Sequence, residues 1–163
     1  MARLSQTPVS PSSGAPATER VSAVVLLVED EPAVRTVTRR MLELRGFTVL
    51  LAEHPEEALR VAAAYPKPVD VLLTDIHLPG MDGPELARQL RDARPDLKVA
   101  FISGYPREEA FAHSTDDPSA EFLQKPFTPT RLVEVLNRVL SSNASTPPPG
   151  SSGDTQKLPR DLP

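Results

Sequence analysis

The stretch from Val69 to Gly83 limits the fold more than any other part of this chain. Its first half, Val69-Asp-Val-Leu-Leu-Thr74, is short and mostly apolar; Pro68 precedes it, and Asp75, Pro79-Gly80 and Asp82-Gly83 follow. A short apolar run between turn residues reads as a buried strand. Strands buried on both faces belong to parallel sheets with helices on either side. A carboxylate at the C-terminal tip of such a strand, where Asp75 falls, stands where open α/β sheets keep their ligand crevices.

The flanking sequence agrees. Val24 to Val28 is a fully apolar strand ending in Glu29-Asp30, and Pro32 suits the first position of a helix. Val34, Val37, Met41 and Leu44 recur at helical spacing, and Gly46 supplies the stop. Phe47 to Leu51 reads as a second strand, and Glu56 to Ala64 as a short helix with Ala58, Leu59 and Ala62 inward. After the third strand, Val69 to Thr74, Asp82 or Gly83 caps a helix entered through Pro84, with Leu86, Leu90 and Ala93 on one face. Lys98 to Ser103 is a fourth strand, Pro106 to Ala112 a short and weakly apolar helix, and Ser114 to Ser119 a polar loop. A brief fifth strand, Glu121 to Gln124, precedes a helix capped by Thr128 and entered through Pro129, whose apolar residues are Leu132, Val133, Leu136, Val139 and Leu140. Five strands alternating with five helices predict an α/β fold, a parallel sheet covered on both faces.

Residues 1–20 and 142–163 are rich in Ser, Pro, Gly and Thr and read as disordered tails around one domain, 21–141. The absence of cysteine excludes disulfides, thiolate catalysis and Cys-ligated metal. A net charge of -4 offers no basic footprint for nucleic acid or an anionic membrane. With no apolar N-terminal segment and no run long enough to span a bilayer, the expected location is the cytoplasm.

Four polar features fall at strand ends: Glu29-Asp30 after the first, Asp75 after the third, Ser103 at the end of the fourth and Lys125-Pro126 after the fifth. In a parallel sheet these ends point the same way, so the residues converge in one crevice. Three clustered carboxylates repel one another and either shift their pKa values or recruit a cation. Mg²⁺ suits such oxygen ligands. An acidic cluster with Mg²⁺, a lysine and a hydroxyl fits phosphoryl transfer, in which a carboxylate can be the nucleophile.

Through Val-Glu29-Asp30-Glu-Pro, Leu-Leu-Thr-Asp75-Ile-His-Leu-Pro-Gly-Met-Asp-Gly, Phe-Ile-Ser103-Gly-Tyr and Phe-Leu-Gln-Lys125-Pro-Phe, the chain resembles the receiver domains of two-component response regulators, over roughly Val21 to Leu140. The resemblance implies a flavodoxin-like receiver fold with strand order 2-1-3-4-5. It implies that Asp75 is the phospho-acceptor, supplied by a histidine kinase or a histidine phosphotransfer protein. Glu29, Asp30 and Asp75 would hold Mg²⁺, Asp30 directly, with the backbone carbonyl of His77 completing the shell. Ser103 would be the switch hydroxyl, Phe122 the switch aromatic, and Lys125 the bridge to the acceptor and then to the phosphoryl oxygens. Gly104 would leave room beside the site. The face of the fourth helix, fifth strand and fifth helix would carry the signal to a downstream protein, with homodimerisation on activation left open. Glu29 stands where Asp is often found, Phe122 lacks a tyrosine's hydroxyl, and Pro106 to Ser119 has few apolar anchors. The expectation is a single-domain receiver, consumed stoichiometrically and so not an enzyme. The alternatives are a receiver of a hybrid histidine kinase, a pseudo-receiver acting as an interaction module, and a flavodoxin-like cofactor binder or small hydrolase. No Gly-rich phosphate loop or Ser-His arrangement supports the last of these.

Overall fold

The apolar runs enter one sheet. The computed structural model describes residues 23–111 and 117–142. The strands are β1 (Val24–Val28), β2 (Thr48–Ala52), β3 (Val71–Asp75), β4 (Lys98–Ser103) and β5 (Glu121–Gln124), and the helices are α1 (Pro32–Glu43), α2 (Pro55–Ala64), α3 (Gly83–Ala93), α4 (Arg107–Ala110) and α5 (Pro129–Ser141). All strand pairs are parallel, in the order β2-β1-β3-β4-β5. β4 and β5 occupy the residues expected. The second and third strands shift by one or two positions, which places Asp75 as the last residue of β3.

Successive residues of β1, β3 and β4 alternate between two cores. One, with Leu26, Leu72 and Phe101, lies under α2 and α3; the other, with Leu27, Leu73 and Ile102, lies under α1 and α5. Both faces are covered, so no polar alternation is needed in these strands. Each Leu taken fully out of water contributes roughly 1.5–3 kcal/mol. Helix entry follows the sequence signals. Asp82 Oδ1 accepts from Glu85 N at 2.8 Å, and Thr128 Oγ1 from Arg131 N at 3.2 Å. The end of α2 is closed from outside itself: Arg94, at the C-terminus of α3, donates to the carbonyls of Ala62, Tyr65 and Lys67.

Three expectations need correction. In α1 the buried residues are Thr38 and Leu42, whereas Val37 is 53% and Leu44 74% exposed. At 100° per residue the row Arg35, Thr38, Leu42 lies about a quarter turn from the row Val34, Val37, Met41, Leu44. The first row faces the sheet, with Leu42 fully buried in the core and Arg35 reaching inward to the carbonyls of Glu29 and Asp30. In α3 the inward small residue is Ala87 and Ala93 is exposed, since Ala87 shares a face with Leu86 and Leu90. The fourth helix has four residues, not seven; Ala112, with His113 and the first half of the polar loop after it, lies outside the described residues. So do both expected tails apart from Ser142. Among the described residues no helix is long and apolar enough to cross a membrane.

Candidate phospho-acceptor site

The parallel register brings the strand ends of β1, β3, β4 and β5 to one edge of the sheet. Asp75 pairs with Ile102, one residue short of Ser103, and Val28, paired with Thr74, leads directly into Glu29. Glu29 and Ser103 are fully buried and Asp75 is 8% exposed, which is unusual for carboxylates and demands partners. Lys125 supplies them. Its Nζ donates to Glu29 Oε2 and to Asp75 Oδ2, both at 2.7 Å. The other Asp75 oxygen, Oδ1, accepts from His77 N at 2.9 Å. His77 thus meets Asp75 through its amide.

Two backbone contacts pin this edge. Lys125 N donates to Ser103 O at 2.7 Å, and Ile76 N to Ile102 O at 3.0 Å. Gly83 is required by space: a Cβ there would lie 2.3 Å from the backbone oxygen of Asp75. At Gly104 a Cβ would meet nothing within 4 Å.

The charges do not cancel. Burial pushes the Glu29 carboxyl above its ordinary value, against the opposing pull of Lys125. Burial would lower the Lys125 ammonium, but its hydrogen bonds to Asp75 and Glu29 outweigh that and raise it. Carboxylate oxygens of Glu29, Asp30 and Asp75 lie within 4.8 Å of one another, and among the described residues nothing hydrogen-bonds the side chain of Asp30. Three carboxylates against one ammonium leave surplus negative charge on hard oxygen donors, the donor set that fits a divalent cation such as Mg²⁺.

Around this centre stand groups the sequence reading assigned no role. Tyr105 N donates to Ser103 Oγ at 3.1 Å, and the Tyr105 and His77 rings meet edge to face at 5.6 Å. Phe122 lies outside the cluster. Its ring packs 6.2 Å from Phe111, which in turn meets Phe101 at 5.4 Å, and the Arg107 guanidinium sits 5.4 Å and 5.9 Å from the Phe111 and Phe122 rings. Arg35, whose Nη1 donates to the carbonyls of Glu29 and Asp30, was also given no role. Its place in the first turns of the helix after the acidic pair was the available signal.

A parallel sheet in this order, with a lysine-braced acidic cluster at the carboxyl ends of its strands, defines a flavodoxin-like α/β protein with its site at the crevice. Residues 25–137 match the response regulator receiver domain model, and the chain belongs to that family. It is 44% identical over 120 residues to the sensor kinase CckA of Brucella abortus, covering 73% of this chain and 13% of that protein. It is 32% identical over 118 residues to the DNA-binding transcriptional regulator NtrC of Escherichia coli K12, covering 72% and 25%. The chain thus spans a minor part of these relatives. Among solved structures, the receiver domain of the hybrid histidine kinase CckA superposes with a TM-score of 0.62 at 37% identity, covering 72% of this chain and 99% of that one. The response regulator TrrA of Thermotoga maritima, solved in complex with Mg²⁺-BeF, gives 0.60 at 26% identity, covering 72% and 99%.

Proposed function

We propose that Asp75 accepts a phosphoryl group from a phosphohistidine on a histidine kinase or phosphotransfer protein, with Mg²⁺ held by Glu29, Asp30 and Asp75. The observation that carries this reading is the Asp75 carboxylate itself, nearly buried at a strand tip and held by Lys125 Nζ on one oxygen and the His77 amide on the other. A carboxylate oxygen attacks phosphorus, the bond from phosphorus to the imidazole nitrogen breaks, and an acyl phosphate forms. Mg²⁺ held by Glu29, Asp30 and Asp75 would supply positive charge for the phosphoryl oxygens. Lys125, released from Asp75, follows the transferred group. The Ser103 hydroxyl, whose oxygen accepts from Tyr105 N, keeps its own hydrogen to donate to a phosphoryl oxygen.

A donor has a seat beside this chemistry. Val34, Val37 and Met41 of α1 form an apolar groove with Pro126 and Phe127, and Lys125 lines the same groove. A helix carrying phosphohistidine and laid against α1 would therefore bring its phosphoryl group to Asp75. Output runs through the α4-β5-α5 face, where Phe122 is half-buried and linked by Phe111 to the core. The chain is an acceptor consumed in the step, not a turnover enzyme.

The similarity to CckA favours a second reading of the context. The receiver would then relay its phosphoryl group to a histidine phosphotransfer protein and not signal directly. Acetyl phosphate with Mg²⁺, read by intact mass, tests the acceptor step. The expected result is a gain of one phosphoryl group that needs Mg²⁺ and disappears in Asp75→Asn. No gain under conditions that label a control receiver would overturn the reading and move the interaction-module alternative forward. Loss of the label to an added phosphotransfer protein would select the relay.

A further inference from the structure

Arg35 is a charged side chain that the acceptor chemistry leaves without a role, yet its side chain is only 17% exposed. Arginine on a surface helix ordinarily keeps its head in water. Here Nη1 donates to the carbonyl oxygen of Glu29 at 2.6 Å and to that of Asp30 at 3.3 Å. Nη2 donates to Glu53 Oε2 at 3.2 Å. Glu53, just beyond β2, is held in turn, its amide donating to Glu57 Oε2 at 2.7 Å. A chain of contacts therefore runs from α2 through the guanidinium to the two peptide groups that bear the acidic pair.

We propose that Arg35 is a positioning residue for divalent-cation binding: it clamps the Glu29 and Asp30 carbonyls and so sets the direction in which their carboxylates point. The proposal rests on the Mg²⁺ site proposed above. Its chemistry differs from that of Lys125. Lys125 bonds carboxylate oxygens of Glu29 and Asp75, two of the residues that would hold the cation. Arg35 bonds main-chain oxygens and Glu53, leaving the Asp30 carboxylate without a donor among the described residues. The loop it holds, Glu29 to Glu31, is short, and Pro32 after it has no amide hydrogen to help fix it. A planar guanidinium with several donors in a fixed fork suits two carbonyls and a carboxylate; an ammonium at the same place is a single point of charge. Partners behind metal ligands commonly tune metal affinity by about 10–100-fold.

The test is an Mg²⁺ titration of the full chain by calorimetry, with amide NMR shifts of Glu29, Asp30 and Asp75 followed in parallel. Wild type would be compared with Arg35→Lys, Arg35→Ala and Glu53→Gln, each also melted in chelator. Arg35→Lys keeps the positive charge, so its change in affinity reports geometry. The expected result is an Mg²⁺ dissociation constant about tenfold higher in Arg35→Lys, and a smaller rise in Glu53→Gln, which keeps the guanidinium but loses its charged anchor. The Mg²⁺ concentration that half-saturates acetyl phosphate labelling should rise in parallel, with the rate at saturating Mg²⁺ preserved. Lower melting temperatures with unchanged Mg²⁺ affinity in both variants would make Arg35 a helix staple and overturn the proposal. Failure of wild type to bind Mg²⁺ would overturn the metal site itself, an outcome recognisable because it needs no variant.

Discussion

Lys125 Nζ stands 2.7 Å from two buried carboxylate oxygens, one of Glu29 and one of Asp75. Removing one partner of such a set leaves uncompensated buried charge, which costs more than the pair contributes. Lys125→Met should therefore destabilise the metal-free domain by on the order of 3 kcal/mol. Added Mg²⁺ should recover part of that loss, because a cation held by Glu29, Asp30 and Asp75 would neutralise the same carboxylates. Melts of wild type and variant with chelator and with Mg²⁺ would show it; an equal loss in both conditions would mean that the cation and Lys125 do not share those carboxylates. The residues of this cluster were legible in the sequence because each ends or follows a strand, and parallel strand ends meet by geometry. Tyr105 and Arg35 were not legible. Both act at the site through backbone groups or through an amide of their own, contacts that residue type does not advertise.

At the scale of elements, the sequence showed where helices start and stop better than it showed how they turn. Pro32 and Pro129 begin helices, α2 starts at Pro55, one residue before the Glu56 expected, Asp82 and Thr128 cap helices, and Gly46, at φ 88°, closes the α1 turn. The rotation of α1 escaped because apolar periodicity identifies a stripe without saying what covers it, and here the row that meets the sheet holds a single apolar residue, Leu42, beside the polar Thr38 and Arg35. A second arginine fastens the approach to β5. Arg91 of α3 is ion-paired to Asp117 and donates to Ser119 Oγ at 3.2 Å, while the Ser119 hydroxyl donates to Asp117 Oδ1 at 2.6 Å. Burial would raise the Asp117 carboxyl, but the hydrogen bonds of Ser119 and Arg91 outweigh it and hold the carboxyl below its ordinary value. A depressed carboxyl contributes stability that is present above the unfolded-chain value, about 3.9, and is lost as pH falls through the folded one. Asp117→Asn should thus melt below wild type at neutral pH, and the gap should narrow as pH drops below about 3.9. A gap that stays constant across that range would show that Asp117 acts through shape and not through charge.

For the molecule as a whole, the two sides of the sheet do different work around one site. α2 and α3 turn their apolar residues toward the core, with Leu59 and Val61 of α2 partly buried, but α1 keeps a second apolar row turned outward, with Val37 53% exposed. That row continues across Pro126 and Phe127 to Lys125, so the groove and the Asp75 cluster share that lysine. A small donor such as acetyl phosphate reaches Asp75 without touching the groove, whereas a protein donor lying along α1 covers it. Val37→Glu separates the two. A substitution at so exposed a position should change stability by no more than about 0.5 kcal/mol. Its labelling by acetyl phosphate should match wild type, while transfer from a phosphorylated histidine kinase domain that labels the wild-type chain should slow by about tenfold, the equivalent of roughly 1.4 kcal/mol of lost docking energy. Equal slowing with both donors would place the effect at the acceptor. No slowing with the kinase would mean that the donor approaches over another face, and the outward row of α1 would then need a different occupant.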